Sequence, residues 1–248
     1  MGIATPPPGP PSYLAATRHP WACLAFLLPL LIAYEGGVLW LGGPNPDALR
    51  NGADAWVRWG LARYGFGQMW AAPLLVVCVF VVRSMTNWSN RPRQLLRTLF
   101  GMAVESAAFA FILWAVSRNF QPLLDRFGIV LTQIQFQTPA AGKLITYVGA
   151  GIYEEVLFRL GLFSIAVFLL RLVLIPRVVA VPVAAVAAAL AFAAAHHVGP
   201  YGEWPIDPVV FAFRAVAGLY FTALYVSRGF GIAVGAHAGY DILVGVTV

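Results

Sequence analysis

Glu154, Glu155 and Arg159 stand in a stretch that is otherwise nearly all apolar or small, from Leu144 to Gly151 on one side and Leu160 to Leu170 on the other. An ionisable side chain at bilayer depth costs about 2.5–3.5 kcal/mol on insertion scales, so a cluster of such residues points to a use. On a helix, Glu155 and Arg159 are i, i+4 and share a face, where they can pair and neutralise each other in low dielectric. Glu154 lies about 100° around the same helix and shares that arginine less easily. It is the freer carboxylate and the better candidate for a general base acting on water.

Two further polar groups lie downstream in apolar surroundings. Phe192 and His196 are one helical turn apart, and the alanines around them let neighbouring helices approach closely. His197 points elsewhere, toward the polar loop that follows, where it can cap the helix end. His237 and Asp241 are again i, i+4, a spacing that presents both side chains to one point in a cavity. Two histidines, a glutamate and an aspartate on three helices suit either of two sites. In one, Glu154 activates a water while nitrogen or acid donors stabilise the oxyanion, as amide hydrolysis without a covalent intermediate requires. In the other, Glu154, His196, His237 and Asp241 are candidate ligands of a divalent metal such as zinc, with Glu154 as the base. There is no His-Glu-x-x-His segment, which argues against the common soluble zinc-protease arrangement and leaves metal open.

The elements that must carry these groups are hydrophobic. The 248 residues are 60% hydrophobic and 10% charged, against about 25% charged in soluble domains. The expected fold class is all-α, a polytopic membrane bundle of seven or eight transmembrane helices. Spans are expected near 21–41, 69–82, 99–116, 144–170, 178–196, 209–226 and 232–248. The fourth is long for one crossing and is expected to split into two helices near Gly161. Residues 1–18, rich in Pro and small side chains, read as a disordered tail, and 19–248 as a single membrane domain. Between the first two spans, Asp47 to Tyr64 carries Arg50, Asp54 and Arg58 at i, i+4, i+8, the pattern of an amphipathic helix on the membrane surface.

The net charge of +6 comes from 15 Arg and one Lys. Arg83, Arg91, Arg93 and Arg97 gather in one connection, as the positive-inside rule expects of a cytoplasmic loop, so the basicity marks topology and not a nucleic-acid partner. The expected partners are the lipid bilayer and a peptide or membrane-protein substrate, and the expected location is a cell membrane, the bacterial inner membrane in particular. Glu35 and Glu105 lie in the first and third spans, bordering a cavity or pairing with Arg214 in the sixth. Cys23 and Cys78 fit no disulfide or metal spacing and read as buried small hydrophobes. Trp21, Trp40, Trp70 and Trp114 sit near span ends, as interfacial belts do.

Glu-Glu-x-x-x-Arg at 154–159, Phe-x-x-x-His at 192–196 and His-x-x-x-Asp at 237–241, in that order and each in an apolar segment, resemble the motifs of the CPBP intramembrane proteases. These include the CAAX prenyl endopeptidase Rce1, bacteriocin-processing and Abi proteins. Gly218-Leu219-Tyr220 and Ser227-Arg228-Gly229 are similar to that family's penultimate helix and turn. The likeness runs from about Leu144 to the C-terminus. It implies that Glu154 and His196 activate water, that His237 and residue 241 stabilise the oxyanion, and that Glu155, Arg159 and Phe192 support the site. Many members have Asn at the last position. An ionised Asp241 cannot donate a hydrogen bond, so here it must be protonated by burial, orient His237 or bind a metal. The rival readings are a proton-coupled transporter whose carboxylates form a relay, and a non-catalytic membrane scaffold on the same fold.

Overall fold

The computed structural model describes residues 12–126, 140–199 and 202–247, and every regular element among them is helical. Helix α1 (Tyr13–Arg18) leads into α2 (Pro20–Leu41), a 3-10 turn (Pro46–Leu49) and α3 (Gly52–Arg63). Helices α4 (Ala71–Thr86) and α5 (Leu95–Arg126) follow, joined through a second 3-10 turn (Trp88–Asn90). The rest comprises α6 (Ala140–Glu155), a π-helical segment (Val156–Phe163), α7 (Ser164–Leu172), α8 (Arg177–Ala195), α9 (Pro208–Arg228) and α10 (Phe230–Thr247).

Helix α2, residues Leu95–Phe120 of α5, α8 and α9 are each long and apolar enough to cross a membrane, while α4 and α10 are shorter apolar helices. Local chemistry sets several boundaries. Pro208 opens α9 at a position where its missing N–H is not needed, and Asp207 Oδ1 accepts from the N–H groups of Val209 (2.8 Å) and Val210 (3.2 Å). Helix α9 ends at Gly229, whose φ of +102° suits glycine, and a Cβ there would meet Thr17 O at 2.9 Å.

The exterior of the bundle is far more apolar than that of a water-soluble protein, and the largely apolar interior also holds buried charge. Arg159 and Glu155 are among the largest fully buried side chains, while Trp40 (85% exposed) and Leu96 (83%) lie outside. Hydrocarbon around the bundle makes such an apolar exterior stable, and buried charge is then tolerable only where it is paired. The molecule is a multi-pass helical membrane bundle.

Helix α10 is the central element, packed against α5, α6 and α9. Its residues Ile232, Ala233, Val234 and Ala236 are fully buried. Its approach to α6 depends on Gly151, where a Cβ would meet that of Ala238 at 2.7 Å. This brings the end of α6, with its two glutamates, beside His237.

Four expectations change. Residues 13–18 are not a free tail but form α1: Ser12 Oγ caps it, Thr17 Oγ1 donates to Arg228 O (2.9 Å) and Arg18 Nε to Ser227 O (2.8 Å). These bonds tie it to the α9–α10 turn, and residues 1–11 lie outside the described part. No break occurs at Gly161: the backbone stays helical from 140 to 172, and the π segment absorbs the change. Within it the Arg159 carbonyl accepts from Ser164 Oγ at 2.9 Å. Helix α3 is amphipathic in the opposite sense, its charged face turned into the protein, with Asp54 fully buried and Trp59 exposed. Cys23 is buried as expected, but Cys78 faces outward.

Candidate active site

Glu155 is the inner anchor. Its Oε1 lies 2.9 Å from Arg159 Nη1 and accepts from His237 Nδ1 at 2.8 Å, with all three side chains buried. The i, i+4 pairing of Glu155 with Arg159 is as expected, and the second bond joins it to α10. Arg159 Nη2 also donates to Gly218 O at 3.2 Å, and its guanidinium lies 4.6 Å from the ring centre of Phe192. His237 stacks on Phe221 at 4.3 Å with the rings 14° apart. Helices α6, α8, α9 and α10 are thus held together through one arginine, one carboxylate and two aromatic rings. A charge pair at this depth is stable only with its remaining polar atoms engaged, and the carbonyl and ring faces meet part of that need.

Around this anchor the four predicted site residues converge with wider gaps. Glu154 Oε2 is 3.7 Å from His237 Nε2 and 4.0 Å from His196 Nε2, and Asp241 Oδ2 is 3.6 Å from the same His237 nitrogen. Such distances are too long for direct hydrogen bonds and invite a bridging water. Phe192 sits behind both rings, 5.0 Å from His196 and 5.9 Å from His237. A cavity of about 80 Å³ adjoins Glu154 and His196, walled by Ala53, Trp56 and Phe158. One water needs about 10–15 Å³ of such space.

Hydrogen bonding assigns the ring nitrogens. His196 Nδ1 lies 2.8 Å from Phe192 O, a carbonyl that can only accept, so Nδ1 carries the proton and neutral His196 turns a lone pair on Nε2 toward Glu154. His237 Nδ1 is likewise committed to Glu155 as a donor when that carboxylate is ionised. It is therefore Glu155 that orients His237, while Asp241 faces the opposite nitrogen. His197 stays apart: its Nδ1 is bonded to Glu203 O (2.8 Å) and its ring stacks on Phe211. Among the described residues, no three His, Cys, Asp or Glu side chains are gathered as a metal site.

A second polar cluster lies on the N-terminal side. Asp54 accepts from Tyr34 Oη (2.8 Å), Arg50 Nη1 (2.8 Å) and Arg58 Nε (2.7 Å). Glu35 accepts from Arg58 Nη2 (2.7 Å), Arg50 Nη1 (3.2 Å) and Tyr153 Oη (2.9 Å). Burial opposes the charge of Arg50, but bonds and charges from Asp54, Glu35 and Asp47 outweigh it and raise its pKa above the ordinary value. Glu35 is thus closed by Arg50 and Arg58, Glu105 pairs with Arg228, and Arg214 pairs with Glu203 at 2.8 Å. The expected pairing of Glu35 or Glu105 with Arg214 does not occur. One residue escaped sequence reasoning: Asn51, whose Nδ2 donates to Glu154 Oε1 at 3.4 Å. The signal was an Asn directly before a helix beginning Gly52-Ala53-Asp54, the position of an N-cap.

Residues 136–243 match the Rce1-like family, the type II CAAX prenyl endopeptidases. The matched segment is less than half the chain, contains Glu154, His196, His237 and Asp241, and supports a likeness to the CPBP intramembrane proteases. The family supports CAAX-type intramembrane endopeptidase activity in general, with a lipid environment and a protein or peptide substrate. No curated protein and no solved structure matches the chain.

Proposed function

We propose that the protein hydrolyses a peptide bond within or at the edge of the bilayer, using a water activated by Glu154 and His196. What supports this most directly is the convergence of Glu154 Oε2 with the Nε2 atoms of His196 and His237, at 4.0 and 3.7 Å, beside a cavity large enough for water. The water oxygen attacks the scissile carbonyl as Glu154 takes one of its protons, forming a tetrahedral intermediate. His196, with its lone pair facing the same space, holds the water by accepting its second hydrogen. The developing oxyanion is stabilised from the other side by His237, which must carry a second proton on Nε2 to donate, and by Asp241, which donates only when protonated. Collapse of the intermediate breaks the C–N bond, and the proton held by Glu154 passes to the leaving nitrogen. The products are a carboxylic acid and an amine, which after proton exchange leave as a carboxylate and an ammonium group.

The same geometry speaks against a carboxylate relay. Glu35 and Glu105 each face arginine, so a proton path through them would cross permanent cations. The deciding experiment is cleavage of internally quenched peptides, prenylated and unprenylated, by purified wild type and Glu154→Ala, each with and without 1,10-phenanthroline. Cleavage by wild type in both conditions and none by Glu154→Ala is the expected result. Proteolysis retained by Glu154→Ala would overturn the base assignment, and loss on chelation would overturn the metal-free mechanism.

A further inference from the structure

We infer that Asn51 is a positioning residue for this reaction, its side-chain amide holding Oε1 of Glu154 so that Oε2 stays turned toward His196 and His237; this rests on Glu154 being the base. Asn51 lies in the loop before α3, outside the segment that matches the protease family. Three observations place it in this role.

The direction of its amide is determined. Asn51 Oδ1 accepts the backbone N–H of Asp54 at 2.8 Å as the N-cap of α3, which leaves Nδ2 to face Glu154 at 3.4 Å. Only this arrangement satisfies both ends, because a backbone N–H needs an acceptor and a carboxylate needs a donor. The two oxygens of Glu154 are thereby distinguished, one facing Asn51 and the other facing the histidines.

Glu154 also needs such a tether. The terminal torsion of a glutamate is broad and roughly two-fold, so an unrestrained carboxylate samples orientations in which neither oxygen serves the water. Misplacing a reacting group by about 1 Å can cost ~10²-fold in rate. A separation of 3.4 Å is long for a hydrogen bond, and catalytic contacts commonly tighten when substrate is bound.

The tether is itself anchored. Asp54, whose N–H holds Asn51, is fully buried and receives donors from Tyr34, Arg50 and Arg58. Tyr153, next to Glu154 in the chain, donates to Glu35 in the same cluster. The N-terminal charges thus fix α3 against α6 at the register that brings Asn51 to Glu154, and this gives the charges of Glu35, Arg50, Asp54 and Arg58 a role at the active site.

Two variants separate this role from helix capping, because Asp and Ser both cap helices well. Asn51→Asp replaces the donor with an acceptor of the same shape, and Asn51→Ser withdraws the donor from reach. Each is assayed beside Glu154→Ala on the quenched peptide that wild type cleaves fastest. The expected result is kcat lower by about 10-fold in Asn51→Ser and about 10²-fold in Asn51→Asp. KM should stay within about two-fold and the melting temperature within about 2 °C of wild type. If Glu154→Ala is inactive while both Asn51 variants keep wild-type kcat, the positioning role is overturned and the base stands. A fall in kcat that follows a fall in melting temperature overturns it as well, leaving Asn51 a cap only. Wild-type activity in Glu154→Ala overturns the base and this role together.

Discussion

Two clusters of charge lie inside this bundle, linked through Asn51 and Tyr153, and they are finished to different degrees. Around Asp54 and Glu35 the donors are two arginines and two tyrosines, and Asp54 takes its three side-chain bonds at 2.7–2.8 Å. Around Glu154 the histidine nitrogens stand 3.7 and 4.0 Å away, with Asp241 3.6 Å from one of them. Closed cation–carboxylate pairs hold helices in register, because opening one leaves an unpaired charge in low dielectric. Gapped carboxylate and imidazole groups, by contrast, keep lone pairs and protons available to a third party. Glu155 and Arg159 belong to the closed kind although they sit next to Glu154, so proximity along the chain does not decide the role.

The sharpest way to break this contrast is at the gapped cluster. Glu154→Ala and His196→Ala should each lower kcat/KM by about 10²–10⁴-fold, the usual share of a positioned acid–base group, with the melting temperature unchanged. The double variant should be little worse than the worse single one, because groups that act on one water act as a unit. Additive losses in a peptide-cleavage assay would show that the two residues serve separate steps.

At the closed cluster the effect should move from rate to stability. Asp54→Ala leaves Arg50 and Arg58 short of a partner and should cost about 3–5 kcal/mol, read as a lower denaturant or thermal midpoint in detergent. A variant that melted like wild type would show that the arginines find water or lipid phosphate instead. The smallest effect belongs to the partly exposed pair Arg214–Glu203, where Glu203→Ala should change stability by about 0–1 kcal/mol after solvent screening. A larger loss there would place this pair with the closed cluster.

How far these roles could be read from sequence depends on whether partners lie within one helical turn. Glu155 with Arg159, His237 with Asp241 and Phe192 with His196 all follow from 3.6-residue periodicity, and the structure shows each pair together. Glu35 and Glu105 were recognisable as costly intramembrane acids, yet their partners Arg50, Arg58 and Arg228 depend on how helices pack. The charged stripe on α3 was visible too, but which way it faced was not. An amphipathic pattern suits either a polar face toward water or, as here, a polar face toward buried counter-charges with tryptophan outward.

From sequence alone came the medium, the helical class and the three ordered motifs, because hydropathy and i, i+4 spacing are local properties of the chain. Tertiary structure alone decided which oxygen of Glu154 faces the histidines, that Glu155 orients His237, and that Asn51, 103 positions before Glu154, comes within 3.4 Å of it. Those contacts arise where α3, α6, α8 and α10 meet. The close fit of Gly151 against Ala238 and the buried Asp54 network set that meeting, and neither can be deduced from spacing.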